Sequence, residues 1–329
     1  MRAFVTGGSG HVGGNLVREL LTRGFEVDCL VRSDVRSLEN LDVNLVTGDM
    51  LNAKEMAALM SDCDVVFHSA AFVAVEKISE DLMFKINVQG TQSIVNAAIE
   101  SGVDKLVHFS SIHAFKQQPT NEPLVESRPL VSDPRALPYD RSKAEAQKLV
   151  LSSKEQGLKL NVIQPTGIIG PEDYKPSRMG KVLSDMANGS MPFAINNGFN
   201  WVDVRDVAIS AVNCLNKGID GQNYILPGRW ASMPELSNMV KHITGNRTHV
   251  ATIPFWMSYL ALPYSTLKSR LTGVRPSFSK GSLQALAIQC RNIPGNLAEE
   301  HLGHSPRPLE DTISDTISWH IKNQRGLFR

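Results

Sequence analysis

The chain has 329 residues, 42% of them hydrophobic, and a formal net charge of +1. That suits one large or two coupled globular domains with a substantial core, and it argues against a dedicated nucleic-acid binder, which carries a basic excess or stripe. Four scattered cysteines (Cys29, Cys63, Cys214, Cys290) with no CxxC pair argue against a metal or disulfide framework and fit a reducing cytoplasm, and no apolar run reaches the roughly 20 residues of a membrane span.

Strand and helix patterns alternate from the first residues. Ala3 to Thr6 reads as a short apolar strand, leaving no room for a signal peptide ahead of it. His11 to Arg23 follows as a helix with Val12, Leu16, Leu20 and Leu21 on one face and Gly24 as its stop. Val27 to Val31 and Asn44 to Thr47 are strands, Asn52 to Met60 a helix, and Asp64 to His68 a strand. A long helix over Asp81 to Glu100, a strand over Lys105 to Phe109, a helix from Tyr139 to about Gln156 and a strand over Leu158 to Gln164 complete the run. Such alternation specifies a doubly wound parallel sheet with helices on both faces. After Pro165 the rhythm loosens. One more strand is expected near Asn223 to Leu226, with helices at Met233 to Thr244, Phe255 to Leu271, Ser279 to Ile288 and Pro308 to Asn323. The expected division is a nucleotide-binding core over 1–165, with 201–228 returning to it, and a smaller, mostly helical substrate region over 166–200 and 229–329.

The loop Thr6-Gly7-Gly8-Ser9-Gly10-His11-Val12-Gly13 joins the first strand to the first helix, with Gly7, Gly10 and Gly13 spaced by three. Glycines there allow a tight turn and let backbone N–H groups reach a pyrophosphate, and the helix N-terminus adds partial positive charge. The second strand ends at Val31-Arg32-Ser33, where an acidic residue would favour NAD. Arg32, with Arg36 nearby, suits a 2′-phosphate instead, so NADP(H) is the expected cofactor and NAD(H) the alternative. Tyr139 and Lys143 lie four apart in a helix, which sets a phenol and an ammonium one turn apart on one face. A neighbouring cation lowers a phenol's pKa from its usual value near 10 and readies it for proton transfer.

These segments together resemble the extended short-chain dehydrogenase/reductase family. The resemblance is carried by the glycine loop, Gly48-Asp49-Met50, His68-Ser69-Ala70-Ala71, Asn87-Val88-Gln89-Gly90-Thr91, Ser110-Ser111, the Tyr139–Lys143 pair, Gln164-Pro165-Thr166-Gly167-Ile168-Ile169-Gly170-Pro171 and Trp201-Val202-Asp203-Val204-Arg205-Asp206. Arg32 and the tail Leu302-Gly303-His304-Ser305-Pro306-Arg307-Pro308-Leu309 are similar to its dihydroflavonol-reductase and 3β-hydroxysteroid-dehydrogenase branch. The resemblance implies that Tyr139 protonates a substrate carbonyl oxygen, that Ser111 hydrogen-bonds it, and that Lys143 lowers the tyrosine pKa and holds the nicotinamide ribose. Asn87 would support the lysine. Thr6, Gly7, Gly10, His11, Val12, Gly13, Asp49, Met50, Ala70, Ala71, Pro165, Gly167 and Ile168 would line the cofactor path. A homodimer through the helices over 81–100 and 139–156 is also implied.

Phe199 stands where sugar-nucleotide enzymes of this family usually carry an arginine that grips a diphosphate. The expected function is therefore NADP(H)-dependent reduction of a ketone or aldehyde on a mid-sized apolar molecule, or the reverse alcohol oxidation. The alternatives are a nucleotide-sugar epimerase or dehydratase, with Arg178 or Arg275 replacing the missing arginine, and a non-catalytic NADP(H)-sensing protein. His113, two residues past Ser111, is a further candidate for acid/base chemistry.

Overall fold

Among the described residues, seven parallel strands drawn from residues 2–226 form the central layer. A computed structural model describes residues 1–73, 80–191, 193–245, 250–260, 262 and 280–323. In chain order the elements are β1 (Arg2–Thr6), α1 (His11–Thr22), β2 (Glu26–Val31), β3 (Asn44–Thr47), α2 (Ala53–Met60), β4 (Val65–His68) and α3 (Glu80–Phe84). A π-helical stretch, Lys85–Gln89, continues α3 into α4 (Gly90–Ser101). Then come β5 (Lys105–Phe109), α5 (Pro138–Ser152), β6 (Leu160–Pro165), β7 (Gly167–Ile169), α6 (Arg178–Ala187), β8 (Phe193–Ile195), β9 (Gly198–Asp203), α7 (Val204–Lys217), β10 (Asn223–Leu226), β11 (Arg229–Ser232), α8 (Met233–Thr244) and β12 (Ala251–Ile253). Among the described residues the α-helices Met257–Leu260, Lys280–Ala287 and Leu309–Asn323 and a π-helical stretch, Ala298–Leu302, follow.

The main sheet has the order β3-β2-β1-β4-β5-β6-β10, and each neighbouring pair is parallel. The order reverses between β1 and β4, and a sheet of this kind opens a crevice there, beyond the carboxyl ends of its strands. Strands covered on both faces read as continuous apolar runs, and β1 and β4 do. On one face Val5, Phe67 and Val107 pack with Leu16 and Leu20 of α1 and with Val207, Ala211 and Cys214 of α7. On the other, Phe4, Val66 and Leu106 pack with Met56 of α2, Ile94 and Ala98 of α4 and Val150 of α5.

The second half differs from the expectation of short helices and a single strand. β7, β9 and β11 form a small sheet in which β9 runs parallel to β7 and antiparallel to β11, while β12 pairs with β8. Around this sheet lies a separate core of Leu183, Trp201, Leu236, Ile313 and Ile317. Asp203 caps α7 by accepting from the Arg205 N–H, and Arg205 also bridges Asp315 of the last described helix at 2.7 Å. The tail is latched to α7 as well: Arg307 donates to Asp206, while His304 meets Ser210 at 2.8 Å and the Pro227 carbonyl at 2.7 Å. The helix expected over Phe255 to Leu271 is described as far as Leu260; residues 263–271 lie outside the described residues. Among the described residues no helix is long and apolar enough to cross a membrane. The four cysteines are buried and unbonded.

Candidate active site

The turn after β1 is built for close approach. Gly7 has φ +74, and a side chain there would press within 2.7 Å of the Ala70 backbone nitrogen. A Cβ on Gly13 would collide with the Gly7 carbonyl, so only glycine lets α1 start this close to the loop. His11 Nε2 lies 3.1 and 3.0 Å from the carbonyl oxygens of Gly170 and Pro171. Carbonyls only accept, so this ring nitrogen carries the proton. Asn15 donates to the same Pro171 carbonyl, and Arg18 pairs with Glu172 at 2.8 Å. His11 thus ties the loop to the segment after β7, a role its sequence position does not reveal.

A cleft of about 840 Å³ opens in front of this loop. Its lining includes Gly7, Gly10, Arg32, Asp34, Asp49, Met50, Ala70, Ala71, Lys85 and Lys175. Thr6 and Val12 are placed otherwise: the Thr6 hydroxyl contacts His68 Nδ1 at 2.7 Å and accepts from the Ala70 N–H, and Val12 packs onto the core. Pro165 ends β6, while Gly167 and Ile168 lie in β7, where Gly167 meets the Asn200 carbonyl of β9.

The far end of the crevice holds the acid/base candidates. Lys143 is buried and donates to the Phe109 carbonyl at 2.9 Å. Burial pulls its pKa down to about 8. Tyr139 keeps part of its ring accessible, but its hydroxyl lies deep. Desolvation pushes the phenol up to about 12; the hydrogen bond with Ser111 acts in the opposite direction, and Asp140 adds to the rise. The expectation of a depressed tyrosine is not met in this geometry, because desolvation outweighs the hydrogen bond with Ser111, while Lys143 donates to a strand-end carbonyl. Ser111 is buried and caps the short turn Ile112–Ala114. Its rival Ser110 donates to Gln147 of α5 at 2.7 Å, which leaves Ser111 facing the phenol.

Asn87 bonds the backbone of Phe72 in both directions and donates to the Ser142 hydroxyl at 3.0 Å. It straps the cleft wall to α5 from within the π-helical stretch, a feature frequent at functional sites. His113 Nδ1 lies 3.3 Å from the buried carboxylate of Asp140, and its ring sits 6.1 Å from that of Tyr139. Neither Asp140 nor this pairing is visible in the sequence. Below the site, His68 and His108 stack at 5.2 Å. Burial, then Lys143, drives His68 down to about 3; burial also drives His108 well down.

Residues 3–226 match the pattern of the NAD dependent epimerase/dehydratase family. The chain belongs to that family. It is 30% identical over 331 residues to sterol demethylase protein B of Methylococcus capsulatus, covering 99% of this chain and all of that protein. It is similar to the crystal structure of gox2253, with a TM-score of 0.85, 30% identity and 98% of each chain covered. It also shares its fold with DesIV, a dTDP-glucose 4,6-dehydratase of Streptomyces venezuelae solved with NAD, at a TM-score of 0.78 and 21% identity over 99% of this chain and 98% of that one. A putative dihydroflavonol 4-reductase of Synechocystis is also 30% identical, over 96% of this chain and 93% of that protein; these likenesses show the family, and DesIV at 21% identity shows the fold alone.

Two expectations are corrected here. The NADP expectation is corrected because the family model matched over residues 3–226 is described as NAD dependent. The structure supplies a physical reason. Arg36 is clamped by both carboxylate oxygens of Asp34, at 3.0 and 2.8 Å, and Lys175 lies 3.6 Å from the same group. The wall that was to receive a 2′-phosphate thus presents a carboxylate beside exposed Arg32. Asp34 lies two residues past Arg32, within the window in which an acidic residue signals NAD.

The assignment as an NADP-dependent reductase of apolar ketones or aldehydes is corrected with it, since the matched family is one of epimerases and dehydratases. The argument from Phe199 also fails. Its ring packs edge-on against Trp201 at 5.2 Å, in the second core, so it fills space and leaves anion binding undecided. Of the two replacement arginines, Arg178 is exposed at the start of α6 and Arg275 lies outside the described residues.

Proposed function

We propose that the protein is an NAD-dependent epimerase or dehydratase acting on a nucleotide-activated sugar, with Ser111, Tyr139 and Lys143 as its proton-handling group. The observation that carries this reading is the seating of Tyr139 against Ser111 at the end of β5, beside a cleft whose ribose wall carries Asp34. The glycine cradle at Gly7 and Gly13 and the Asp34 carboxylate fit a dinucleotide without a 2′-phosphate. Gly7, Gly10, Asp34 and Asp49 would hold its adenosine half, and Ala70, Ala71 and Lys143 its nicotinamide half. NAD bound there supplies the hydride acceptor and, later, the hydride donor.

The remaining chemistry is proton movement by this chain's residues. Tyr139 Oη takes the proton of a substrate carbinol while Ser111 holds the same oxygen. Tyr139 must enter this step as the phenolate and leaves it as the neutral phenol; the ammonium of Lys143, redirected from the Phe109 carbonyl to ribose hydroxyls, offsets the phenolate charge beforehand. The ketone so formed acidifies the neighbouring C–H. His113 takes that proton, the electron pair moves into the enolate, and the imidazolium is held by Asp140. Loss of a β-hydroxyl, protonated by the imidazolium, removes water; turning of the ketone within the site before it is reduced again would invert the carbinol carbon instead.

The test is to incubate the protein with NAD and a panel of UDP- and dTDP-hexoses in D2O and follow the sugars by NMR. The expected result is deuterium entering one sugar without NADH accumulating. Turnover of a sterol with accumulating NADH, and none of any nucleotide sugar, would contradict the proposal.

A further inference from the structure

One polar residue of the second half reaches the catalytic end of the crevice. The helix Lys280–Ala287 buries Leu283 and Leu286. Beyond it, Cys290 and Ile293 are buried with Ile112, Phe115 and Leu124 of the segment after β5. Gln289 stands between these apolar positions and is itself buried, with its amide nitrogen 3.5 Å from His113 Nε2. A buried amide costs stability unless it is hydrogen-bonded, so an apolar side chain would suit a plain core position here.

Neighbouring bonds fix this placement. The Leu124 N–H donates to the Asn292 carbonyl at 2.9 Å, and the Cys290 thiol donates to the Glu122 carbonyl at 3.2 Å. The Gln117 amide donates to the Ile112 carbonyl at 2.8 Å, while its oxygen accepts from the Cys290 N–H at 3.5 Å. Residues 290–292 are thus pinned around the turn Ile112–Ala114, which carries His113. The proton on His113 follows from the groups on either side of its ring. A carboxylate only accepts, so Nδ1, 3.3 Å from Asp140, carries it; Nε2 is then an acceptor and the Gln289 amide its donor. At 3.5 Å this contact is longer than ordinary N–H bonds, so a better-placed partner can replace it.

We infer that Gln289 is a specificity residue that recognises the β-hydroxyl of the substrate, on the carbon next to the one His113 deprotonates. The inference rests on the proton-handling roles proposed above. In the free protein the amide covers the Nε2 lone pair. An arriving substrate puts its C–H there, and the amide turns to the hydroxyl that the imidazolium later protonates. A site with an amide held at this point favours a substrate that carries the hydroxyl, because without it the buried amide loses a partner. Ser111 and Tyr139 hold the carbinol oxygen. Gln289 makes a second point of contact two carbons farther along, and so fixes which C–H faces His113.

The test has two arms: nitrogen NMR of the histidines in ligand-free protein, and binding of dTDP-glucose and dTDP-6-deoxyglucose to NADH-loaded protein, which cannot oxidise the carbinol. With the carbinol at carbon 4, the 6-deoxy sugar is the one that lacks the β-hydroxyl. In the wild type, His113 should show a protonated Nδ1 and an acceptor Nε2. Gln289→Met, of equal length and unbranched, should move the Nε2 resonance and leave Nδ1 protonated. The wild type should bind dTDP-glucose roughly tenfold more tightly than the deoxy sugar, and Gln289→Met should bind the two within about twofold with NADH affinity unchanged. Gln289→Asn keeps a buried amide one methylene short of the ring and should behave like Gln289→Met. An Nε2 resonance that Gln289→Met leaves in place, equal binding of the two sugars by the wild type, or a tenfold preference kept by both variants would overturn the inference. Binding of neither sugar by the wild type would instead defeat the nucleotide-sugar reading, and the hydroxyl contact with it, whatever the resonance shows.

Discussion

The two halves of the molecule divide labour along the main sheet. In the first, every strand runs the same way, so every carboxyl end reaches the same crevice, and a residue placed just past a strand joins the site. Asp34 after β2, Asp49 after β3, Ala70 after β4 and Ser111 after β5 all arrive in this way. In the second half, β7, β9 and β11 mix directions and Trp201 is spent on a core of its own. Chemistry is therefore concentrated in the first half, while the second builds a core of its own. Substitutions in the two halves should separate into losses of turnover and losses of stability.

The largest effect is expected at Tyr139. Tyr139→Phe keeps the ring and loses the proton carrier, and should lower kcat by roughly a thousandfold with NAD affinity unchanged. Next is His113→Gln. Hydride exchange should persist within a few-fold, while deuterium exchange at the adjacent carbon falls roughly a hundredfold; equal loss of both would blur the two roles into one. Asp34→Ser removes the carboxylate from the ribose wall and should shift the NAD to NADP ratio of kcat/KM by roughly tenfold toward NADP. In the second half, Trp201→Phe deletes the 3.0 Å bond from the indole to the Ala231 carbonyl. It should cost about 2 kcal/mol in denaturant unfolding and leave NAD affinity alone. A large loss of NAD binding in that variant would break the division.

A pH slope bears on stability alone. His68 has its pKa lowered from 6.5 to about 3, and His108 well below 6.5, so the unfolded chain binds more protons than the folded one as pH falls below 6.5. Stability present above that pH is lost as the medium acidifies toward 3. Buried Asp203, held down by Arg205 against its desolvation, adds to the loss only below its usual 3.8. The melting temperature should thus already fall between pH 6.5 and 4.5, and His68→Asn should flatten part of that slope.

The comparison also explains what the sequence disclosed. The seven strands of the main sheet are apolar and bounded by helices with their own periodicity, so each reads locally. α2 and α8 announce their starts through Asn52 and Ser232, which accept from the N–H groups of Glu55 and Glu235. The small sheets are different. β7, β8 and β12 have three residues each, too few to show alternation, and β7 meets β9 more than thirty residues away. The site divides likewise. Tyr139 and Lys143 are a local spacing and legible; His113 with Asp140 exists only after α5 packs against the turn following β5. Arg32 misled because its position was weighed without Asp34, whose carboxylate changes the charge of that wall. Phe199 misled because a side chain's absence from a site cannot be told from its presence in a core until the fold is known.

The central claim is that Tyr139 and a bound NAD exchange a proton and a hydride with a substrate carbinol. It is tested most directly by nicotinamide absorbance in a single turnover of NAD-loaded protein with each nucleotide sugar. The account predicts transient NADH formation in the wild type with one sugar class and none in Tyr139→Phe. Equal NADH formation in both proteins, or none in the wild type across the panel, would contradict it.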